Sequence, residues 1–249
     1  KAAFPGWAAT PIAERKAALN KIADALEART EEFARLLTQE QGKPLPEAMG
    51  EIQYSAAFFR YFATLALPQE TIEDNENRKV VTQRRPLGVV AAIIPWDFPV
   101  MIVAFKTPPA LLAGNTMVIK PAPTTPLTTL KLGELLNEIL PPGVVNIVTD
   151  ANDLGHVLTK HPDVRKVSFT GSTDTGKKVM ASAADTIKRI TLELGGNDAA
   201  IVLGDADPKA AAPGIFGGAF FNAGQVCLAI KRVYAHESIY DQLCDELAK

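Results

Sequence analysis

The sequence predicts an α/β fold in which helices flank a parallel sheet. After residue 87, short β-rich runs alternate with stretches whose apolar side chains have helical spacing. This alternation is typical of parallel strands that are joined by helices. The chain has 249 residues, 47% of them apolar, which is enough for a hydrophobic core and for one or two domains.

Helices are predicted before the sheet. Apolar side chains fall at helical spacing from residue 11 to residue 41, and Gly42 supplies the helix end. A second helix is predicted from about residue 46 to residue 67. Residues 69–86 are polar and contain the turn-prone pair Asp74-Asn75, so they predict an extended arm outside the core.

Six β-rich runs are expected to form strands, with a helix predicted at 173–183 after the fourth. The runs are 89–94, 116–119, 144–148, 167–170, 190–194 and 199–203. The last apolar segment, 210–230, is rich in glycine and predicts the start of another packing unit. We therefore expect a first domain at 1–194 and a second domain that begins at 195 and reaches residue 249.

Composition and charge argue against several functional classes. The net charge is −2 and the basic pairs are scattered, so no nucleic-acid partner is expected. The three histidines lack metal-ligand spacing to any cysteine, so no metal site is expected. The apolar spans 89–105 and 210–230 are interrupted by proline and polar residues, which argues against membrane helices. Two cysteines form no disulfide framework, and this favours a reducing, cytoplasmic compartment.

A glycine-containing segment, Phe169-Thr-Gly-Ser-Thr-Asp-Thr-Gly-Lys-Lys178, predicts an anion site. It joins a predicted strand to a predicted helix, where backbone amides and the helix dipole favour a phosphate. A P-loop needs Ser or Thr after its lysine to hold magnesium, and Lys178 stands there instead. A dinucleotide pyrophosphate is therefore favoured over a triphosphate. The structural alternative is a simple turn that uses Gly171 for its φ freedom.

Cys227 follows a glycine-containing loop, Ala223-Gly-Gln-Val-Cys227, and is a candidate nucleophile. The alternative is an inert core thiol, which is the more common role of a single cysteine among small apolar residues. Cys244 illustrates that alternative, because it lies beside Leu243 on a predicted amphipathic helix and needs no chemical role.

Glu193 is a candidate general base. It lies between Leu192 and Leu194 on a predicted strand, and burial in a sheet covered on both faces would raise its pKa toward that of a useful base. An edge-strand glutamate that points to solvent is the alternative interpretation.

Polar side chains also follow two earlier strands. Asp97 and Lys120 stand at predicted carboxyl ends, where open α/β sheets bind their ligands. Either residue alone fits a solvated turn. Together with the glycine turn, three successive strand ends indicate one ligand-binding edge.

Five segments in the same order make the chain resemble the aldehyde dehydrogenase superfamily over essentially its whole length. They are Pro95-Trp-Asp-Phe-Pro99, Lys120-Pro-Ala-Pro-Thr-Thr-Pro126, Phe169-Thr-Gly-Ser-Thr173, Leu192-Glu-Leu-Gly-Gly-Asn197 and Gly224-Gln-Val-Cys227. The last two are highly specific in combination. The resemblance implies a Rossmann-like NAD(P)-binding domain, the start of an α/β catalytic domain, and an oligomerisation arm at 69–86.

The resemblance also implies roles for individual residues. Cys227 would attack the aldehyde carbon, hydride would pass to the nicotinamide, and water activated by Glu193 would hydrolyse the resulting thioester. The glycine turn would hold a dinucleotide without magnesium. The positions that match cofactor contacts, for NAD or NADP, are Ile94, Pro95, Trp96, Lys120, Ala122, Pro123, Gly171, Ser172, Thr175 and Leu194.

Two departures from the family pattern carry expectations of their own. Asp97 stands where the family usually has Asn, whose amide helps to hold the oxyanion. An ionised Asp97 would repel that charge, so it is expected to impair aldehyde oxidation unless it is protonated. Pro123 stands where NAD-preferring relatives often have Glu, which binds the adenosine ribose together with the lysine. Tolerance of NADP is therefore expected.

The chain is shorter than members of this superfamily and lacks an initiating methionine or a targeting pattern. It also stops inside an amphipathic run at 240–249, so both ends are expected to be cut. The complete protein is expected to act on a small-molecule aldehyde as a homodimer or homotetramer. A truncated, inactive dinucleotide-binding module is the alternative, and a P-loop phosphotransferase is a more distant one.

Overall fold

The structure is a computed structural model that describes residues 1–249. It divides into two compact units, Lys1–Glu193 and Leu194–Lys249. No helix combines the length and the apolar composition that crossing a membrane requires.

Four helices begin the first unit: α1 (Phe4–Ala9), α2 (Ile12–Ala28), α3 (Thr30–Gln41) and α4 (Leu45–Thr64). The single helix expected over 11–41 is wrong, because the chain breaks at Arg29, whose φ is −112° and ψ is 18°. The hydroxyl of Thr30 donates to the carbonyl of Glu27 at 2.9 Å across this break. Leu26 and Phe33 are seven residues apart and both fully buried, so the apolar phase continues through the break and conceals it.

Residues 69–86 form an exposed hairpin, in agreement with the extended arm that the sequence predicts. Strands β1 (Glu70–Asp74) and β2 (Lys79–Thr82) pair antiparallel. The side-chain oxygen of Asn75 accepts hydrogen bonds from the amides of Asn77 and Arg78 at 2.9 and 3.0 Å, which closes the turn.

Five parallel strands alternate with helices in the rest of this unit. The order along the chain is β3 (Val89–Ile93), α5 (Pro99–Leu112), β4 (Thr116–Lys120), α6 (Leu127–Ile139), β5 (Val145–Ile147), α7 (Gly155–Lys160), β6 (Val164–Thr170), α8 (Thr173–Ala184) and β7 (Arg189–Glu193). The spatial order is β5-β4-β3-β6-β7. Strand order reverses between β3 and β6, and the carboxyl ends beside such a reversal are where open α/β sheets bind ligands. All residues of the central strand β3 are buried.

The second unit contains β8 (Asp198–Val202), α9 (Pro208–Phe220), β9 (Ile230–Ala235) and α10 (Tyr240–Leu247). The sixth predicted strand does not join the main sheet, because β8 pairs in parallel with β9 instead. Val202, Ile215 and Leu243 are buried in the core of this unit. Cys244 is exposed, so the core position expected for it is wrong. It directly follows Leu243, and adjacent helical residues point in different directions.

Candidate active site

The carboxyl ends of the central strands bring the predicted ligand-binding residues side by side. Ile93 is in register with Lys120 on one side and with Phe169 on the other. The amide of Ile94 donates to the carbonyl of Lys120 at 2.9 Å. The amide of Gly171 likewise donates to the carbonyl of Glu193 at 3.0 Å. The loops after β3, β4 and β6 and the end of β7 therefore form one continuous edge.

The glycine turn after β6 is shaped by close packing. Gly171 does not have a positive φ, so the alternative in which it serves for conformational freedom is wrong. A Cβ at this position would lie 2.6 Å from the Phe169 ring, and glycine avoids that clash. Ser172 caps α8, because its hydroxyl accepts from the amide of Thr175 at 3.3 Å. The first residues of α8 are exposed, and a helix start of this kind favours an anion.

Lys120 forms a buried ion pair with Asp150. The ammonium nitrogen lies 2.7 Å from Oδ1 of Asp150, and the two side chains are 5% and 0% exposed. The other carboxylate oxygen of Asp150 accepts from the amide of Leu154 at 2.9 Å. Burial alone would raise the pKa of Asp150, but the hydrogen bonds from Lys120 and Leu154 and the charge of Lys120 outweigh burial and lower it.

Asp150 was missed by the sequence reasoning. It belongs to a polar loop, and nothing in its spacing connects it to Lys120. The feature that could have identified Asp150 is its position just after β5. This strand lies next to β4, and neighbouring parallel strands end at the same edge of the sheet.

The chemistry of this edge fits a dinucleotide. The indole of Trp96 is 43% exposed and offers an apolar surface. The hydroxyl oxygen of Thr170 is buried and makes no hydrogen bond, which leaves it open to a ligand. Ala122 is half-buried and Pro123 is exposed. With the Lys120 ammonium and the start of α8, these groups match the adenine, the ribose and the pyrophosphate of a dinucleotide.

Asp97 lies in the loop between β3 and α5 and is half-buried. Burial raises the pKa of its carboxyl, although the amides of Asp97 and Phe98 and the charge of Lys43 partly oppose this. The carbonyl of Asp97 accepts from the ammonium of Lys43 at 2.8 Å. A raised pKa favours the protonated carboxyl, which carries no charge and can donate a hydrogen bond.

A buried ion pair supports this loop from behind. Lys43 and Glu51 contact each other with side chains that are 0% and 1% exposed. Glu51 also accepts from the amides of Val100 and Met101 at 2.9 and 3.0 Å, so it caps α5. The Lys43 ammonium lies 3.8 Å from the centre of the Phe98 ring. The pair thus fixes α4 and the start of α5 to the Asp97 loop.

Glu193 ends β7, an edge strand, and is exposed. The expectation of a buried position is wrong, because β7 has one neighbour in the sheet rather than two.

The ammonium of Lys106 on α5 donates to the hydroxyl of Ser168 at 3.0 Å. Burial lowers the pKa of Lys106 to about 8, with the charge of Glu193 acting in the opposite direction and that of Lys166 acting in the same direction. Sequence reasoning missed this lysine, since a single lysine in an apolar helix has no recognisable pattern.

The loop before Cys227 has an unusual backbone. Asn222, Ala223 and Gly224 have positive φ angles of 52°, 54° and 72°. Consecutive non-glycine residues in this region are costly and concentrate at functional sites. Asn222 is 2% exposed, and its amide group donates to the carbonyl of Gln225 at 3.1 Å. Cys227 itself is exposed, so the core-thiol interpretation is wrong.

One hydrogen bond and one close backbone approach within the second unit hold this loop in place. The ammonium of Lys231 donates to the carbonyl of Gly224 at 2.6 Å. A Cβ at Gly196 would lie 2.5 Å from the carbonyl oxygen of Cys227. Gly196 and Cys227 belong to the two most specific segments of the sequence, and the close backbone approach gives a physical reason for their combination.

Comparison with known proteins identifies the family. The model of the Aldehyde dehydrogenase family matches residues 1–249. Putative aldehyde dehydrogenase FUS7 of Gibberella moniliformis (strain M3125 / FGSC 7600) is 43% identical over 247 residues, covering 99% of this chain and 53% of the relative. The crystal structure of an E. coli NADP dependent enzyme matches with a TM-score of 0.97 at 42% identity, covering 99% of this chain and 52% of that one. PnpE in complex with nicotinamide adenine dinucleotide matches with a TM-score of 0.96 at 43% identity, again covering 99% and 52%. The chain spans about half the length of these relatives, and it belongs to the aldehyde dehydrogenase family.

Proposed function

We propose that this chain carries the cofactor site and the nucleophile of an NAD(P)-dependent aldehyde dehydrogenase, and that it works as part of a longer polypeptide. The observation that carries the proposal is the exposed thiol of Cys227. It follows residues 222–224, which have positive φ angles, and the Gly224 carbonyl among them accepts a hydrogen bond from Lys231. The family match over the whole chain supports it. The substrate class is an aldehyde, and the product is the corresponding carboxylate.

The strand-end edge of the first unit is the proposed cofactor site. Lys120, Ala122, Pro123 and Thr175 would face the adenosine half, with Gly171 and Ser172 near the pyrophosphate. The proposed site also includes Ile94, Pro95, Trp96 and Leu194. The nicotinamide accepts the hydride when the cofactor is bound. The relatives include an NADP dependent enzyme and an NAD complex, and both cofactors enter the proposal.

Cys227 is the proposed nucleophile. Its thiolate forms a bond to the aldehyde carbon, and the carbonyl π bond opens to an oxyanion. The oxyanion re-forms the carbonyl double bond as the carbon loses a hydride, which a bound nicotinamide would accept, and a thioester remains on the sulfur. Glu193 takes a proton from water, the resulting hydroxide adds to the thioester carbon, and the carbon–sulfur bond breaks to release the carboxylate. A protonated Asp97 would donate a hydrogen bond to the oxyanion.

The hairpin β1–β2 is the proposed oligomerisation arm of a homodimer or homotetramer. Its strands are almost entirely exposed, and unpaired strand edges are ready sites for pairing with another chain. The nucleophile needs a reduced thiol, which agrees with a cytoplasmic location.

The test compares two cysteine variants in the longest polypeptide that the reading frame encodes. We expect Cys227→Ser to abolish NAD(P)H formation from a panel of aldehydes, whereas Cys244→Ser, which changes the other exposed thiol, retains it. Dinucleotide binding should survive in both variants. An active Cys227→Ser variant would contradict the proposal. Binding of the dinucleotide by a wild-type protein that oxidises no aldehyde would favour an inactive binding module instead.

A further inference from the structure

The pairing of Lys120 with Asp150 bears on which dinucleotide the site accepts. Lys120 is the last residue of β4, and Asp150 follows β5, the adjacent parallel strand. The amide of Val148 donates to the carbonyl of Ile119 at 2.9 Å, so the β5 loop begins against the end of β4. The ion pair of 2.7 Å therefore belongs to the ligand-binding edge of the sheet.

The geometry of Asp150 is fixed from both sides. One carboxylate oxygen contacts Lys120 and the other accepts from the amide of Leu154. Both side chains of the pair are buried almost completely. Breaking the pair would leave a buried charge without its partner, which is strongly unfavourable. The Lys120 ammonium is thus held by the Asp150 carboxylate and is not an isolated cation.

The surrounding loops supply no second cation. Residues 121–127 and 148–155 contain neither lysine nor arginine, and they do contain Asp150 and Asp153. A 2′-phosphate at the adenosine ribose needs a positive partner, commonly an arginine, whereas a free ribose hydroxyl is bound by a carboxylate. Both oxygens of Asp150 are engaged, by Lys120 and by Leu154, so the part of this carboxylate is to neutralise the Lys120 ammonium.

We propose that Asp150 is a specificity-determining residue that makes this site prefer NAD over NADP. The proposal rests on the proposed function, in which Lys120 contacts the adenosine ribose. Pro123 brings no carboxylate to that lysine, and Asp150 holds a negative charge against it instead. The proposed preference for NAD differs from the tolerance of NADP expected from Pro123 alone, because a carboxylate from another strand end contacts the same lysine.

The experiment is a calorimetric titration that needs no catalysis. NAD⁺ and NADP⁺ are titrated separately into the wild type, into Asp150→Asn and into Asp153→Asn, each as the longest polypeptide that the reading frame encodes. Asn retains an oxygen for the Leu154 amide while it removes the charge. Asp153→Asn is the matched control, since it makes the same charge change on an exposed residue of the same loop.

We expect the wild type to bind NAD⁺ at least about tenfold more tightly than NADP⁺, since like charges placed together cost several kcal/mol. Asp150→Asn should reduce that ratio by about tenfold, and Asp153→Asn should leave it unchanged. Equal binding of both dinucleotides by the wild type would overturn the preference, as would an unchanged ratio in a folded Asp150→Asn variant. If Asp150→Asn does not fold, the wild-type ratio decides alone. Binding of neither dinucleotide would overturn the proposed function and this preference with it.

Discussion

Gly196 is the residue whose replacement tests the architecture of the Cys227 loop. A Cβ at Gly196 would lie 2.5 Å from the carbonyl oxygen of Cys227, whereas a Cβ at Gly195 would meet no atom within 4 Å. We expect Gly196→Ala to displace the loop, to change the rate at which Cys227 reacts with a maleimide, and to lower stability by about 1–3 kcal/mol. Gly195→Ala should change neither quantity. Equal effects of the two substitutions in labelling and urea unfolding would contradict this packing.

Asp97 is expected to impose a pH-dependent penalty on turnover. Burial raises the pKa of its carboxyl, so the protonated form persists to higher pH than in an exposed aspartate. As the pH rises through that raised pKa, Asp97 ionises and repels the developing oxyanion. Asp97→Asn should therefore increase kcat, by about tenfold or more at the alkaline end of the range, because an oxyanion donor is worth about 10²–10³ in rate. A ratio of variant to wild-type kcat that stays constant across pH would contradict this role.

At the scale of secondary-structure elements, alternation of β-rich and helical segments predicted the sheet, and the end of α3 at Gly42 was also predicted. The break at Arg29 was not, because Leu26 and Phe33 keep the same helical phase on both sides of it. The separate pairing of β8 with β9 was missed for a related reason. Hydrophobicity marks a strand but does not specify its partner.

The buried pair of Lys43 and Glu51 joins three elements, α4, α5 and the segment after α3. Lys43→Met would leave the Glu51 carboxylate buried without its ammonium partner. We expect a loss of about 3–5 kcal/mol in the free energy of unfolding. Glu31→Gln, which removes the exposed partner of Arg35, should cost about 0–1 kcal/mol. Urea denaturation measures both, and similar losses for the two variants would contradict the importance of the buried pair.

Lys106 should make stability depend on pH in a definite direction. Burial lowers the pKa of Lys106 to about 8 in the folded protein, below the value of about 10.4 in an unfolded chain. Between these values the unfolded chain binds more protons, so stability contributed by this group rises with pH. The wild type should gain at most about 3 kcal/mol relative to Lys106→Met across that window. If the difference in unfolding free energy between the wild type and Lys106→Met does not change with pH, Lys106 does not have this effect.

At the scale of the whole molecule, the chain presents its chemical groups on two units. The strand-end edge and Glu193 belong to the first unit, and Cys227 belongs to the second. Sequence motifs made these residues candidates because each has a distinctive local neighbourhood. Asp150, Lys106 and the Lys43–Glu51 pair were not identified, since their roles arise from contacts between residues far apart in the chain.

Mass spectrometry of a trapped adduct shows whether Cys227 is the acylated nucleophile. Glu193→Gln, in the longest polypeptide that the reading frame encodes, is mixed with an aldehyde and NAD⁺, and the peptides are mapped. Because the variant lacks the base that activates water, we expect an acyl group on the sulfur of Cys227 and none on Cys244. Cys227 is not the nucleophile if the wild type oxidises the same aldehyde while the variant carries no acyl group on Cys227, or carries it on Cys244.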